Sequence, residues 1–271
     1  MREKDSPEMM PRAVICDIDG TLVWEKQKLP SARVLRALEQ IHARGVLVIA
    51  ATGRIRQLIP DGLLRLADYC VCGNGGLVTD QAGQVLQETT FDRDLVEELT
   101  AFSDRTGAAL SFSFPSGYGA YRDFPAIRRL YLNCAEGELS ISDETATRTR
   151  HLHEAPFSAF LIGNEGRIYE YLRRQHRIQA ARQWEGHFDV YPVATTKAAG
   201  ISGLLLSRGI RWKEVVAFGD SPNDLEMLAA AGRGYAMGNA CPEAKQIAQF
   251  EAPPVWEDGV AQVLEQLFDL D

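Results

Sequence analysis

A chain of 271 residues with 45% hydrophobic and 24% charged side chains has apolar material for a sizeable core, which excludes a peptide, a disulfide scaffold and a mainly disordered chain. Its formal net charge of -8, from 29 basic and 37 acidic residues, argues against a surface that neutralises many nucleic-acid phosphates. The five cysteines (Cys16, Cys70, Cys72, Cys134, Cys241) are scattered and show no C-x-x-C spacing, so neither a zinc site nor a disulfide framework is indicated and a reducing, cytoplasmic setting is expected.

Along the chain, residues 1–10 (MREKDSPEMM) lack the apolar segment of a secretory signal and read as a flexible polar tail. No apolar run approaches the roughly 20 residues that span a bilayer, so no membrane partner is expected. From Pro11 the pattern is regular. RAVICD reads as a buried strand, SARVLRALEQIHARG as a helix capped by Ser31 and stopped by Gly45, and VLVIAA as a second buried strand. A helix over about 54–66, a strand at 69–72 and a GNGG turn at 73–76 follow. Between 81 and 190 the reading changes to α+β: amphipathic segments FDRDLVEELTAFSDRTG and GRIYEYLRRQHRIQAARQW alternate with strand candidates AALSFSF, SAFLIG and HFDVYPV. KAAGISGLLLSRGI, EVVAFGD, SPNDLEMLAAAG and GYAMG then restore helix–strand alternation. The expected organisation is therefore a discontinuous α/β domain, residues 11–80 and 191–271, holding an inserted α+β domain at 81–190.

The chemistry-bearing residues fall at the ends of the α/β strands. Asp17 and Asp19 in DIDGT lie at the carboxyl edge of the sheet, where open α/β folds bind ligands, although Asp and Gly also make ordinary turns. EVVAFGD ends in Asp220, a carboxylate that directly follows a buried strand and so needs a cation or donors. Asp224 sits in the next helical turn, where the helix dipole alone would also favour an acid. Thr52 and Gly53 end the second strand in Thr52-Gly53-Arg54; Thr52 reads either as a helix N-cap or, with the backbone N–H groups after it, as a phosphate ligand. Lys197 is conspicuous because the chain uses 23 Arg against 6 Lys, and a cation near a helix start is disfavoured unless it is aimed at an anion.

Taken in order, these motifs resemble the haloacid dehalogenase (HAD) superfamily of phosphotransferases, and in particular its Cof-like subfamily, HAD-IIB, with a C2-type inserted cap. The resemblance covers about 11–80 and 191–271 by motif and the cap by position and size. It departs from the Cof-like pattern at Ala198, where Gly commonly follows the lysine, and at Asn74-Gly75-Gly76, where N-G-A is common. It implies a HAD-like doubly wound parallel sheet core and a Mg2+-dependent phosphatase of small phosphorylated metabolites such as sugar phosphates. Asp17 is then the nucleophile that forms an aspartyl-phosphate and Asp19 the acid/base. Thr52, Gly53, Lys197 and Asn223 hold the phosphoryl group. The metal falls to the Asp17 carboxylate, the Asp19 main-chain carbonyl and the Asp220 carboxylate, with Asp224 as supporting acid. All-oxygen ligands with room for water suit Mg2+. A phosphomutase would use the same nucleophile, and a non-catalytic phospho-ligand binder is the alternative outside enzymes. In the cap, Tyr118, Tyr121 and Arg122 lie in a segment rich in aromatics, Gly and Pro, read either as a hairpin packing into the cap's own core or as a loop contacting the leaving group.

Overall fold

The computed structural model describes residues 10–24, 29–132 and 141–270. The expected N-terminal tail and Cys134 lie outside them, apart from Met10. By internal contacts the chain forms two compact units: residues up to Thr52, Ile59–Leu86 and everything from Thr196 make one, and Gly53–Leu58 with Gln87–Thr195 make the other.

The first unit begins with β1 (Ala13–Cys16), α1 (Ala32–Ala43) and β2 (Leu47–Ala51). Ser31 caps α1 by accepting the Val34 N–H at 3.1 Å, as its position before the apolar periodicity indicated. A single-turn α2 (Asp61–Leu64), β3 (Tyr69–Cys72), β4 (Leu77–Asp80) and β5 (Val85–Glu88) follow. No helix spans 54–66. Instead the chain runs from Gly53 into a 3-10 turn at Arg56–Leu58, and Pro60, which has no N–H to give a continuing helix, separates that turn from α2. Thr52 is consequently not a helix N-cap.

The second unit holds α3 (Arg93–Thr106), β6 (Ala109–Phe114), β7 (Gly117–Arg122), α4 (Phe124–Leu132), β8 (Ile141–Asp143), β9 (Ser158–Ile162), α5 (Glu165–Leu172), β10 (Ile178–Trp184) and β11 (His187–Pro192). Its sheet has the order β10-β11-β9-β6-β7-β8. Phe112, Phe114, Tyr121, Leu161 and Val190 from the strands form one apolar cluster with Leu95, Leu99 and Ile168 from α3 and α5. The amphipathic segment 166–184 divides between two elements: α5 stops at Leu172, and Ile178–Trp184 pairs antiparallel with β11 across a turn at Gly186, φ +73°. Helical periodicity and a β-hairpin arm compete in that stretch, and pairing with β11 prevails over local propensity.

The chain re-enters the first unit through α6 (Lys197–Ser207), β12 (Val215–Gly219), α7 (Leu225–Ala230), β13 (Arg233–Met237), α8 (Pro242–Ile247), β14 (Phe250–Ala252) and α9 (Gly259–Phe268). The sheet order β14-β13-β12-β1-β2-β3-β4-β5 places β1 between β12 and β2, and the strands from β14 to β3 are parallel. Ile15, Ile49, Ala217 and Met227 lie fully buried in its core. Register then fixes the site. Cys16 is level with Phe218 on one side and Ala50 on the other, so Asp17, Gly219-Asp220 and Ala51-Thr52 emerge together at the carboxyl edge.

Candidate active site

Beyond β1, the Asp17 N–H still donates to the Phe218 carbonyl at 3.0 Å, holding this buried residue in line with the sheet. The chain then coils so that the Ile18 carbonyl accepts from Leu22 at 2.9 Å and Val23 at 2.8 Å. Asp19 is exposed on that coil. Gly20 closes it at φ +83°, a conformation that suits glycine, and a Cβ there would lie 2.2 Å from an Asp220 carboxylate oxygen. Asn239 Nδ2 donates to the Gly20 carbonyl at 2.8 Å, a tether that no sequence motif announced.

Lys197 occupies the first turn of α6, whose cap Thr196 accepts the Ala199 N–H at 3.1 Å. Its side chain is fully buried and Nζ donates to Asp17 Oδ1 at 2.5 Å and to Asp224 Oδ1 at 2.7 Å. The other Asp224 oxygen accepts the backbone N–H groups of Asp220 and Ser221, each at 3.0 Å. Asp224 is thus committed on both oxygens and acts as a brace between the lysine and the 220–221 backbone. Burial works against the Lys197 ammonium, but Asp17 and Asp224 outweigh it and hold the lysine charged. For Asp17, burial raises the carboxyl well above the ordinary range; Lys197 pulls it down, and the charges of Asp224 and Asp220 push it up.

One oxygen of Asp220, Oδ1, is buried with no hydrogen-bond partner. Burial, followed by the charge of Asp224, raises this carboxyl to about 6. Ligand atoms of Asp17, Asp220 and Asp224 all lie within 4.8 Å of one another. Three acids around one lysine leave surplus negative charge, and an unpartnered buried carboxylate oxygen is the feature a cation would satisfy. The cluster could therefore hold a divalent metal, with Asp17 and Asp220 offering the oxygens that hydrogen bonds have not consumed.

Thr52 is fully buried at the end of β2, where its N–H donates to Val71 and its carbonyl accepts from Asn74, at 2.8 and 3.0 Å. Gly53 is exposed and belongs to the segment that clusters with the second unit. Asn223, exposed in the 3-10 turn Pro222–Asp224, donates through Nδ2 to Asn74 Oδ1 at 2.9 Å. The candidate residues of the second unit have a different setting. Tyr121 is fully buried, edge-on to Phe112 and hydrogen-bonded through its hydroxyl to His151, while Tyr118 is buried against Phe160. Arg122 pairs with Asp104 at 2.9 Å. Residues 109–122 form the β6–β7 hairpin, with Phe112 and Phe114 in the apolar core of the second unit.

A parallel sheet that gathers a buried lysine and three aspartates at its carboxyl edge defines an α/β enzyme built to handle an anionic group beside a cation. Comparison with known proteins gives the family. Residues 14–264 match the model of the haloacid dehalogenase-like hydrolases. The chain is 27% identical over 268 residues to a longer protein of Streptococcus pyogenes whose name pairs a phosphatase with a peptidyl-prolyl cis-trans isomerase; the match takes in 96% of this chain and spans 54%, about half, of that protein. It is 29% identical over 254 residues to the HMP-PP phosphatase of Serratia proteamaculans, with 88% of each chain covered. A crystal structure of a Geobacillus kaustophilus protein superposes with a TM-score of 0.84 at 31% identity, covering 95% of this chain and 99% of that one. The chain belongs to the haloacid dehalogenase-like hydrolase family and is a phosphatase. Among the described residues no helix is long and apolar enough to cross a membrane.

Proposed function

We propose that this phosphatase hydrolyses small phosphorylated metabolites in the cytoplasm, with Mg2+ as cofactor and with the phosphoryl group carried transiently on Asp17. The observation that supports the reading most strongly is the buried Lys197 ammonium bound at once to Asp17 and Asp224 beside the unpartnered oxygen of Asp220. Mg2+ would be held by the Asp17 and Asp220 carboxylates with the Asp19 main-chain carbonyl, and it supplies the charge that lets a phosphate dianion approach three aspartates. The HMP-PP phosphatase relative supports a substrate of that size and charge.

The remaining steps belong to this chain's side chains. A carboxylate oxygen of Asp17 attacks phosphorus and the ester P–O bond breaks; Asp19, exposed two residues on, gives its proton to the departing oxygen. Water then attacks phosphorus, Asp19 takes its proton, the bond to Asp17 breaks and inorganic phosphate leaves. Lys197, the Thr52 hydroxyl, the Gly53 N–H and the Asn223 amide bind phosphoryl oxygens, while Asp224 keeps Lys197 and the 220–221 backbone in place. Turnover of p-nitrophenyl phosphate and of a panel of phosphorylated metabolites, with Mg2+ and with excess chelator, tests the reading. Turnover that requires Mg2+, with acid-quenched phosphoenzyme mapping to Asp17, supports it. Full activity in chelator overturns the metal's part, and absence of turnover on every ester overturns hydrolysis.

A further inference from the structure

The GNGG turn after β3 carries three consecutive residues at positive φ: Gly73 at +54°, Asn74 at +53° and Gly75 at +104°. Such a run is costly for L-residues and persists where the surroundings fix it. Here they do. The Asn74 N–H donates to the Thr52 carbonyl at 3.0 Å. A Cβ on Gly75 would fall 2.0 Å from the Thr196 carbonyl oxygen and 3.3 Å from the Lys197 nitrogen, so the turn lies hard against the start of α6. Gly200 meets it from the same helix, where an added Cβ would stand 3.0 Å from the Gly75 Cα. From this fixed platform the Asn74 side chain reaches Asn223, accepting from Nδ2 at 2.9 Å.

We propose that Asn74 is a positioning residue that sets the Asn223 amide for the phosphoryl group, resting on the proposed role of Asn223. An exposed asparagine in a short turn has no packing to choose its rotamer, and water competes for its amide. Spending one Nδ2 hydrogen on a fixed acceptor determines the plane of the amide and hence the direction of the second hydrogen, which is left for a phosphoryl oxygen. The turn thereby joins Thr52, Thr196-Lys197 and Asn223 through one backbone segment. The competing explanation is that Asn stands at 74 only because it tolerates a left-handed conformation. Glycine satisfies that need equally well, so the two accounts separate.

The test measures what Asn223→Ala costs in three backgrounds of the full chain with Mg2+, reading the Kd of inorganic phosphate by calorimetry and KM and kcat with p-nitrophenyl phosphate. In the wild type, Asn223→Ala should weaken phosphate about tenfold, chiefly through KM, as one charge-assisted hydrogen bond is lost. Combined with Asn74→Gly, which keeps the backbone and its N–H to Thr52, the same change should cost about twofold or less. Combined with Asn74→Asp, which keeps an acceptor oxygen, it should again cost about tenfold even though the added charge weakens phosphate overall. An equal cost in all three backgrounds, or none in any, overturns the proposal. Phosphate binding is read without turnover, so a wild type that hydrolyses no ester counts against the proposed function and leaves this cycle decisive.

Discussion

Lys197 donates to Asp17 at 2.5 Å from a fully buried position, so the ammonium neutralises the proposed nucleophile and the structural core of the site at once. Lys197→Ala should therefore lose both activity and stability. Removing one partner of a buried pair leaves carboxylates uncompensated, a loss of about 3–5 kcal/mol. Lys197→Arg should be nearly as damaging, because a planar guanidinium cannot reach two carboxylates from a cavity shaped for a point charge. Thermal melts beside kcat on p-nitrophenyl phosphate check this; an Arg variant with wild-type activity would show that net charge alone matters.

Asp17→Asn should behave in the opposite way on stability. The change keeps shape and removes one negative charge from a crowded acidic site whose burial already raises the Asp17 carboxyl. Turnover should fall at least about a hundredfold, the loss expected when a covalent step disappears, while the metal-free melting temperature holds or rises. Retained turnover in a folded variant would remove Asp17 from the nucleophile's place.

The alternation of strands and helices, the acids at strand ends and the isolated lysine were legible because each is a local pattern with its own physical cause. Lys197 is the clearest case: its position at a helix start made little sense unless anions lay ahead of it, and two do. Less legible was Asp224, whose place in a first helical turn fitted a dipole-stabilised acid, whereas it is buried and takes three donors. The helix expected over 54–66 gives way to a 3-10 turn and a separate single turn after Pro60, and the amphipathic segment 166–184 gives its last seven residues to a strand that pairs with β11. Asn74 and Asn239 were missed for a related reason. Their partners lie 149 and 219 residues away, and no spacing rule reaches that far. Three glycines in four residues at 73–76 were the available signal for a special backbone.

The raised Asp220 carboxyl gives a pH dependence with a definite sign. In the metal-free protein the folded state keeps a proton until about pH 6, whereas an ordinary unfolded carboxylate releases it near pH 4. This contribution to stability is complete below about pH 4 and is lost as pH rises through about 6, and Asp17 adds in the same direction. Metal needs the ionised carboxylate, so the melting-temperature gain from Mg2+ should be small near pH 5 and large above about pH 7. Asp220→Asn should flatten that difference. A Mg2+ gain in the wild type that does not vary with pH would contradict it.

Gly20→Ala probes the same carboxylate from the other side. The methyl would meet an Asp220 oxygen at 2.2 Å and would also sit at φ +83°. Displacement of Asp220 should weaken Mg2+ by an order of magnitude or so, with about 1–2 kcal/mol lost in metal-free stability from the strained backbone alone. Calorimetric Mg2+ titration reads the first effect and melting the second; unchanged Mg2+ affinity would take Asp220 out of the metal's ligands.

The second unit supplies the last prediction, through Tyr121. Its ring is sealed in the apolar cluster, and its hydroxyl accepts the His151 backbone N–H at 3.0 Å and meets Nδ1 of the same residue at 2.9 Å. Such a side chain is placed to hold the β6–β7 hairpin to the 3-10 turn at Arg150–Leu152. Tyr121→Phe keeps the ring and leaves the His151 N–H without its acceptor, so stability should fall by about 1–2 kcal/mol. Relative kcat/KM across a panel of phosphate esters should stay as in the wild type. The more accessible Arg122, bound to Asp104, is the contrasting substitution, since Arg122→Ala removes a charge at little cost to packing. Reordering of substrate preference by Tyr121→Phe, without loss of stability, would return Tyr121 to the specificity residues.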